Sequence, residues 1–202
     1  REAIDSVLAQ TRQDWEIIFW DNQSTDRSAE IFKSYTDSRL HYHHAPSHTL
    51  LYEARNHAIE KARGGYFAFL DVDDWWFPHK LDRQLTLFDD PAVGMVCGNF
   101  WVVSERKNKR WKRFSRPMPT GRVLNDLLKT YYVGLLTLMV RREAFESLSH
   151  PCDPRYHIIG DFDLVARLAI SWKLDYVQDP VACYRLHGSN EPFSCFVERR
   201  SS

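Results

Sequence analysis

Short apolar runs alternate, over the first 70 residues, with stretches whose apolar residues recur every three or four positions. The first pattern predicts buried strands and the second predicts amphipathic helices. The predicted elements are, in order, a helix over residues 1–8, a strand at Trp15–Trp20, a helix over Ser28–Tyr35, a strand at 39–44, a helix from Leu50 to the glycine pair 64–65 and a strand at Tyr66–Leu70. Strands that alternate with helices at this spacing are typical of a parallel α/β sheet.

The same two patterns continue through the rest of the chain. They predict a helix over His79–Phe88, a strand at Val93–Ser104, an exposed hairpin or loop over Arg106–Arg116, a helix near Val123–Tyr131, a strand near Thr137–Val140, a helix over Phe162–Trp172 and a pair of strands at 174–178 and 181–187. No repeat, linker or low-complexity segment interrupts the pattern. We therefore expect a single domain over 1–202.

Composition agrees with one globular domain, because a chain of 202 residues that is 44% hydrophobic and 14% aromatic can bury a sizeable core. The formal net charge is zero, but the first 100 residues carry 16 Asp or Glu against 10 Lys or Arg, and the remaining residues carry the opposite excess. We therefore expect an acidic site in the first half to work beside a basic surface in the second.

The cysteines and the hydropathy pattern narrow the class of protein further. Cys97, Cys152, Cys183 and Cys195 contain no C-x-x-C pair and no zinc-site spacing, so reduced thiols in a cytoplasmic protein are expected. No run approaches the roughly 18 apolar residues of a membrane span, and the N-terminus lacks the apolar region of a signal peptide. Any membrane contact is therefore expected to be peripheral.

Carboxylates cluster where two of the predicted strands end. Asp71, Asp73 and Asp74 directly follow one strand, and Asp21 directly follows another. In parallel sheets, ligands bind in the crevice at the carboxyl ends of the strands. Neighbouring carboxylates repel unless a cation or hydrogen bonds compensate, and Mg²⁺ or Mn²⁺ completed by phosphate oxygens is the usual solution. The alternative is that Asp73 or Asp74 caps the helix near Pro78 and the other carboxylates are solvated.

Four segments of the chain form a pattern that is more specific than any one of them. They are SVLAQTRQDWEIIFWDNQSTDRS (6–28), ARNHAIEKARGGYFAFLDVDDWWFPHKLDRQ (54–84), GDFDLVARL (160–168) and YRLHGSN (184–190). In this order and separation they closely resemble the family 2 glycosyltransferases with the GT-A fold, over nearly the whole chain. The resemblance implies a Rossmann-like α/β fold with a mixed, mostly parallel sheet flanked by helices. It also implies a nucleotide-sugar-binding half over 1–104 and an acceptor-binding half over 105–202.

The activity that the resemblance implies is an inverting transfer of a sugar from a nucleotide-diphosphate donor to an acceptor hydroxyl, with Mn²⁺ or Mg²⁺ bound through a D-x-D motif. By position, Asp73 is the principal metal ligand, Asp71 supports the ribose or the metal site, and Asp74 is structural or supports the ligand residues. Asp21 and Asn22 stand where family members often have two adjacent aspartates, one of which contacts the base. Asn22 leaves base recognition open, because its amide can bond a base or stabilise its own turn.

Further roles follow from the same resemblance, each beside a structural alternative. Asp161 matches the catalytic base, and the alternative is that it caps the helix that begins there. The start of a helix is expected to favour the ionised form of its carboxylate. His187 matches a residue near the diphosphate that completes the metal shell or binds phosphate, although a lone histidine is often structural. Arg55 and Asn56 are expected to help the donor site, with a helix-surface role as the alternative.

Three more residues are candidates for the acceptor or sugar pocket. Trp75 and Trp76 either shape that pocket or are core aromatics. Arg167 either reaches the pocket or forms a structural salt bridge with a carboxylate, and we favour the salt bridge.

The basic segment Arg106–Arg116 contains seven Lys or Arg residues with Trp111 and Phe114 among them. It is either a solvated hairpin or a surface for an anionic partner, such as a lipid headgroup or a lipid-linked phosphorylated acceptor, at the inner face of the membrane. Nucleic acid is not an expected partner, because no nucleic-acid-binding module accompanies the charges.

The sequence departs from the family at its start. The family's first strand and its Pro-Thr-Tyr-Asn-like turn precede the helix over residues 1–8, so we expect a sheet without that strand and an incomplete donor site. The expected function is a hexosyltransferase-like enzyme of cell-surface polysaccharide or glycolipid synthesis. The alternatives are an inactive nucleotide-sugar-binding or partner-binding domain of the same fold and a nucleotidyltransferase. A glycoside hydrolase is disfavoured, because the aspartates do not resemble an acid/base pair that flanks a glycosidic bond.

Overall fold

The computed structural model describes residues 1–156 and 158–187. The helices are α1 (Glu2–Leu8), α2 (Ser28–Lys33), α3 (Leu51–Lys61), α4 (Lys80–Leu85), α5 (Leu124–Lys129), α6 (Arg142–Glu146) and α7 (Gly160–Ser171). The strands are β1 (Ile17–Asp21), β2 (Leu40–His44), β3 (Tyr66–Ala68), β4 (Trp75–Trp76), β5 (Val93–Ser104), β6 (Lys109–Lys112), β7 (Met139–Arg141) and β8 (Lys173–Leu186). Short 3₁₀ helices occur at Thr86–Asp89 and Leu135–Thr137.

The strands form two sheets. β1 and β2 pair in parallel as a separate two-stranded sheet. The larger sheet has the order β3-β7-β5-β8-β4, with β6 paired to β5. The α/β class with a mixed sheet is confirmed. The sheet is less parallel than predicted, however, because β5–β8 is parallel whereas β3–β7, β5–β7, β5–β6 and β4–β8 are antiparallel.

A cavity of about 750 Å³ separates the two sheets. Every residue of Ile17–Trp20 and of Tyr66–Leu70 lines it, together with residues of α1 and α3. Successive side chains of a strand point to opposite faces, so a cavity that contacted one face would be lined by alternate residues. Because consecutive residues line this cavity, the backbone edges of β1 and β3 border it. β1 and β3 therefore belong to separate sheets, with this cavity between their edges.

Strand β5 is the centre of the molecule, because its two faces belong to two different hydrophobic cores. Met95 and Cys97 pack with α5, α6 and α7 on one face. Val96 and Phe100 pack with α1 and α4 on the other face. A strand covered on both faces is expected to be almost continuously apolar, and the polar residues of β5 are Asn99 and Ser104.

Some helices and strands of the structure differ from the predicted ones. The two strands expected at 174–178 and 181–187 are one strand, β8, whose ladder with β5 shifts register between Gly98 and Phe100 and so bends without ending. The sequence did not predict β4, whose two residues pair with Cys183 and Ala182. The helix expected over His79–Phe88 becomes α4 followed by a 3₁₀ turn.

Candidate active site

The first part of the site is the turn that follows β3, where the Asp74 N–H donates to the Asp71 carbonyl at 3.1 Å. His187, at the end of β8, brings its Nε2 to 2.8 Å from the Asp73 carboxylate oxygen Oδ2. Their side chains are 32% and 33% exposed, so both remain open to a ligand. The fold thus brings together two residues, 114 positions apart, that the sequence analysis assigned to a metal.

The carboxylate and imidazole of this pair fit a divalent cation only in part. No group of three or more His, Cys, Asp or Glu side chains within 1–156 and 158–187 is arranged to hold a metal. Mn²⁺ and Mg²⁺ are commonly held by one or two protein ligands, while substrate phosphates and water complete the shell. Asp73 and His187 therefore fit a metal that binds together with a phosphorylated ligand.

Asp74 is the aspartate of the turn that faces the interior of the fold. It is buried, and its carboxylate accepts the backbone N–H of Arg185 at 2.9 Å. Burial raises its pKa to about 7, and the neighbouring Asp73 and Asp71 charges add to this effect, whereas the Arg185 N–H opposes it. The structural role expected for Asp74 agrees with these contacts.

Arg185 holds the aspartate turn in place, although the sequence analysis gave it no role. Its Nε donates to the Asp73 carbonyl at 3.0 Å, and its guanidinium lies 4.8 Å from the Trp75 ring centre. The same guanidinium forms ion pairs with Glu2 of α1 and Glu105 at the end of β5. Its position two residues before His187, inside a quoted motif, was the available signal.

Helix α3 contributes one residue to the aspartate turn and one to the loop before α7. Arg55 Nη2 donates to Asp71 Oδ1 at 2.9 Å, so Arg55 does lie beside the expected donor site. Asn56 instead bonds both backbone groups of Cys152, donating to its carbonyl at 2.8 Å and accepting its N–H at 2.9 Å. These contacts favour a structural role for Asn56, not contact with a donor.

The polar groups at the end of β1 are bonded within the chain. Asp21 is buried and accepts the Tyr42 hydroxyl at 2.5 Å and the Ser24 N–H at 2.8 Å. Burial acts to raise the pKa of Asp21, but these hydrogen bonds outweigh it and the pKa lies below its usual value. The Asn22 amide donates to the Thr49 carbonyl and accepts the Thr49 N–H. Asn22 therefore ties the end of β1 to the loop before α3, and its side chain bonds Thr49, not the backbone of its own turn.

Asp161 is the second residue of α7 and lies partly buried. Its carboxylate oxygen Oδ2 is 3.4 Å from the Tyr131 hydroxyl, and its N–H donates to the Tyr52 hydroxyl at 3.3 Å. Burial raises its pKa, opposed by the Phe162 N–H, the Arg55 charge and the Tyr131 hydroxyl. Desolvation therefore outweighs these groups at the start of α7, and the pKa of Asp161 lies above its usual value.

Two of the three residues that were candidates for the acceptor or sugar pocket make structural contacts. Trp76 is buried and its Nε1 donates to the Leu136 carbonyl at 2.8 Å, which favours the core role, and it also lines the cavity between the two sheets. Arg167 pairs with Asp163 at 2.8 Å, four residues earlier on α7, and also bonds the carbonyls of His150 and Pro151. Its salt bridge is the structural one that we favoured. Trp75 remains half-buried beneath Arg185.

The basic segment is a hairpin, as predicted. Its β6 residues, Lys109–Lys112, are all exposed and pair antiparallel with 101–104 of β5. The register aligns Trp101 with Lys112 and sets Arg110 two residues away on the same face, where its guanidinium lies 5.2 Å from the Trp101 ring centre. Trp111, on the opposite face, is 41% exposed. Positive charge and aromatic surface are therefore presented together.

The remaining predictions concern the thiols and the membrane. Cys97, Cys152 and Cys183 are buried free thiols, and Cys195 lies outside the described residues. In the described part of the chain, no helix combines the length and the apolar character that crossing a bilayer requires. Gly188, Ser189 and Asn190 of the last quoted motif also lie outside the described residues.

Comparison with known proteins gives a consistent match. The sequence model described as "Glycosyl transferase family 2" matches residues 1–149. TuaG of Bacillus subtilis, a glycosyltransferase named for teichuronic acid biosynthesis, is 31% identical over 152 residues, which are 74% of this chain and 60% of TuaG. The Escherichia coli enzyme WfgD, a UDP-Glc:alpha-D-GlcNAc-diphosphoundecaprenol beta-1,3-glucosyltransferase, is 30% identical over 149 residues, covering 74% and 57%. The chain thus spans less than two thirds of these relatives.

Solved structures match the fold at low sequence identity. The UDP complex of S. aureus TarS 1-349 superposes with a TM-score of 0.73 at 16% identity, covering 92% of this chain and 56% of the other. The mannosyltransferase PcManGT of Pyrobaculum calidifontis, in complex with GDP-Man and Mn²⁺, superposes with a TM-score of 0.68 at 18% identity, covering 91% and 52%. These matches extend the likeness beyond residue 149 to most of the chain.

Proposed function

Because this chain belongs to glycosyl transferase family 2, we propose that it transfers a sugar, with inversion, from a nucleoside diphosphate sugar to an acceptor hydroxyl in cell-surface polysaccharide or glycolipid synthesis. The observation that carries the proposal is the 2.8 Å approach of His187 to Asp73 at the end of β3. The names of the relatives support the proposal, since two of them refer to teichuronic acid and to a lipid-linked diphosphate acceptor.

The donor site that we propose lies in the half over 1–104 and is completed by His187. Asp73 and His187 would hold Mn²⁺ or Mg²⁺, which supplies charge neutralisation to the leaving nucleoside diphosphate. Arg55 holds Asp71 at 2.9 Å, and Arg185 holds the Asp73 carbonyl at 3.0 Å, so both cations keep the turn in one conformation. PcManGT, which carries GDP-Man and Mn²⁺ in its complex, supports a metal-assisted donor site.

The acceptor half, over 105–202, contributes Asp161. Its carboxylate takes the proton of the acceptor hydroxyl while the acceptor oxygen forms a bond to the anomeric carbon and the bond from that carbon to the diphosphate oxygen breaks. Attack from the face opposite the diphosphate inverts the configuration. General-base assistance of this kind is worth about 10²–10⁴ in rate.

A donor panel tests the proposal. We expect a UDP-, GDP- or dTDP-sugar with Mn²⁺ to raise the melting temperature by roughly 5–10 °C at about 100 times its Kd, since such binding stabilises by about 2.7 kcal/mol and each kcal/mol shifts a chain of this size by about 2–4 °C. A CMP-sugar, which has one phosphate, is the control. Release of free nucleoside diphosphate in the presence of acceptor then separates an enzyme from an inactive binding domain. Failure of every diphosphate sugar to bind would contradict the proposal.

We also propose that the basic hairpin docks on an anionic membrane surface, at the inner face, where a lipid-linked acceptor would be presented. The three basic residues of β6 are all exposed, and Trp111 beside them is 41% exposed. Exposed tryptophan with Lys and Arg is typical of segments that bind the interface of anionic bilayers.

Binding to lipid vesicles tests whether the basic hairpin docks on anionic membranes. Changing Lys109, Arg110 and Lys112 to Gln is expected to weaken binding to phosphatidylserine vesicles about 10²-fold, because each basic residue near an anionic surface contributes about 1 kcal/mol. Binding by the unchanged protein should weaken steeply as salt shortens the Debye length. The matched control changes three exposed basic residues outside the hairpin, Arg27, Lys61 and Arg83, to Gln. Equal losses in both variants would mean that net charge, not the hairpin, drives binding.

A further inference from the structure

Asp161 is held by two tyrosines from separate parts of the fold. Tyr52 comes from α3, and Tyr131 comes from the loop that follows α5. Neither tyrosine belongs to the residues that the sequence analysis singled out. Their contacts differ, since Tyr52 bonds the main chain of Asp161 and Tyr131 bonds its carboxylate.

Tyr52 determines where the first turn of α7 lies. Its hydroxyl donates to the Ile158 carbonyl at 3.1 Å and accepts the Asp161 N–H at 3.3 Å, so it occupies one of the N–H groups that a helix start leaves unpaired. Its ring lies directly against Gly160, where an added Cβ would approach the ring carbons to 2.6 Å. Residue 160 must therefore be a glycine for the Tyr52 ring to pack there.

Tyr52 also connects the base to the donor side of the site. The Arg55 guanidinium lies 5.4 Å from the Tyr52 ring centre and donates to Asp71 at 2.9 Å. One helix, α3, thus contacts both the aspartate turn and the start of α7. A shift of Tyr52 would move Asp161 relative to Asp71.

Tyr131 acts on the carboxylate itself. Its hydroxyl lies 3.4 Å from Asp161 Oδ2, and its ring packs edge-on against Phe162 with ring centres 5.3 Å apart. Burial, together with the Asp161 charge, raises the pKa of Tyr131 well above its usual value, so the phenol stays protonated and can donate. Catalytic hydrogen bonds are often long without substrate and tighten in the complex.

The other charged and titratable groups around Asp161 are accounted for within the described residues. Arg55 of α3 favours the ionised carboxylate. The Cys152 thiol stays neutral, because burial raises its pKa to about 11. Burial likewise raises the pKa of Tyr52. Asp163, on the same helix, is paired with Arg167. Among the described residues, Tyr131 is therefore the neutral side chain that donates to the Asp161 carboxylate, beside the backbone N–H of Phe162.

We propose that Tyr52 and Tyr131 are positioning residues for Asp161: Tyr52 fixes its main chain at the start of α7, and Tyr131 stabilises its carboxylate in the ionised form that accepts a proton. The inference rests on the proposed role of Asp161 as the base.

The test compares Tyr131→Phe with Tyr132→Phe. Tyr132 is the adjacent tyrosine, and its hydroxyl donates to the Pro119 carbonyl at 3.0 Å, away from Asp161. The carboxyl ¹³C signal of Asp161, assigned by its absence in Asp161→Asn, is titrated by NMR in each protein. We expect the pKa of Asp161 to rise in Tyr131→Phe, because the charged form loses a donor, and the acid limb of the transfer rate to move to higher pH with it. Tyr132→Phe should leave both unchanged. An unchanged titration in Tyr131→Phe overturns the role of Tyr131.

Tyr52→Phe keeps the ring against Gly160 and removes only the hydroxyl. We expect the Asp161 amide hydrogen to exchange faster and transfer to slow, while the donor-induced melting shift is retained. Unchanged exchange of that amide overturns the role of Tyr52. Transfer at the normal rate by Asp161→Asn would overturn the assignment of Asp161 as the base. The titration and the exchange measurement test only the two tyrosines, so failure of the base and failure of the tyrosines can be told apart.

Discussion

Asp161→Asn is expected to slow sugar transfer by about 10²–10⁴-fold, because an amide cannot take the proton of the acceptor hydroxyl. Donor and metal affinity should be retained, since Asp73 and His187 form a separate pair at the end of β3. Transfer is measured as product formed from the donor identified by the panel, and affinity as the metal-dependent rise in melting temperature.

Asp163→Asn is the matched control on the same helix. Asp163 is paired with Arg167, which also donates to two backbone carbonyls, so the loss of this carboxylate is expected to reduce stability more than transfer. If Asp161→Asn transferred sugar normally while Asp163→Asn did not, the base would be Asp163.

Asp73→Asn is expected to abolish the Mn²⁺-dependent part of donor binding and, with it, transfer. The carboxylate of Asp73 is the charged ligand of the proposed metal pair, and an amide in its place is a weaker ligand for a hard cation. The roughly 5–10 °C rise expected for the unchanged protein with donor and Mn²⁺ should shrink to the value seen without metal.

The fold should survive this change, because Asp73 is partly exposed and the contact that anchors the turn, from Arg185, is made to its carbonyl. Asp89→Asn, at an exposed position outside the site, is the control for loss of one negative charge. Metal-dependent donor binding of normal strength in Asp73→Asn would refute the assignment of Asp73 as the metal ligand.

Some elements were predictable from local pattern alone. Val93–Ser104 is apolar except for Asn99 and Ser104 and forms β5 with the predicted bounds, because a strand covered on both faces admits few polar residues. The basic stretch 106–116 was expected at the surface, since Lys and Arg are mostly exposed in proteins, and its residues 109–112 form the exposed strand of the predicted hairpin. The order of motifs along the chain was sufficient to identify the family.

Pairing between distant segments was not predictable in the same way. The sequence indicated parallel pairing, yet β7 runs against both β3 and β5. Strand β4 has two residues, which are too few to show a periodicity. It forms because these residues pair antiparallel with Ala182 and Cys183 of β8. Strand direction depends on how connections cross the sheet, and local hydrophobic patterns contain no such information.

The same limit applies within the site. The sequence by itself determined that Asp73 stands where a predicted strand ends, and the resemblance of its motifs to the family identified Asp161 and His187 as candidates. It did not determine partners, because a single side chain fits several roles until its neighbours are known. Only the tertiary structure decided that Asn56 bonds Cys152, that Trp76 belongs to the core and that Arg185 holds the aspartate turn. Hydrogen bonds and burial depend on contacts between residues far apart in sequence, and these contacts form only when the sheet and its helices assemble.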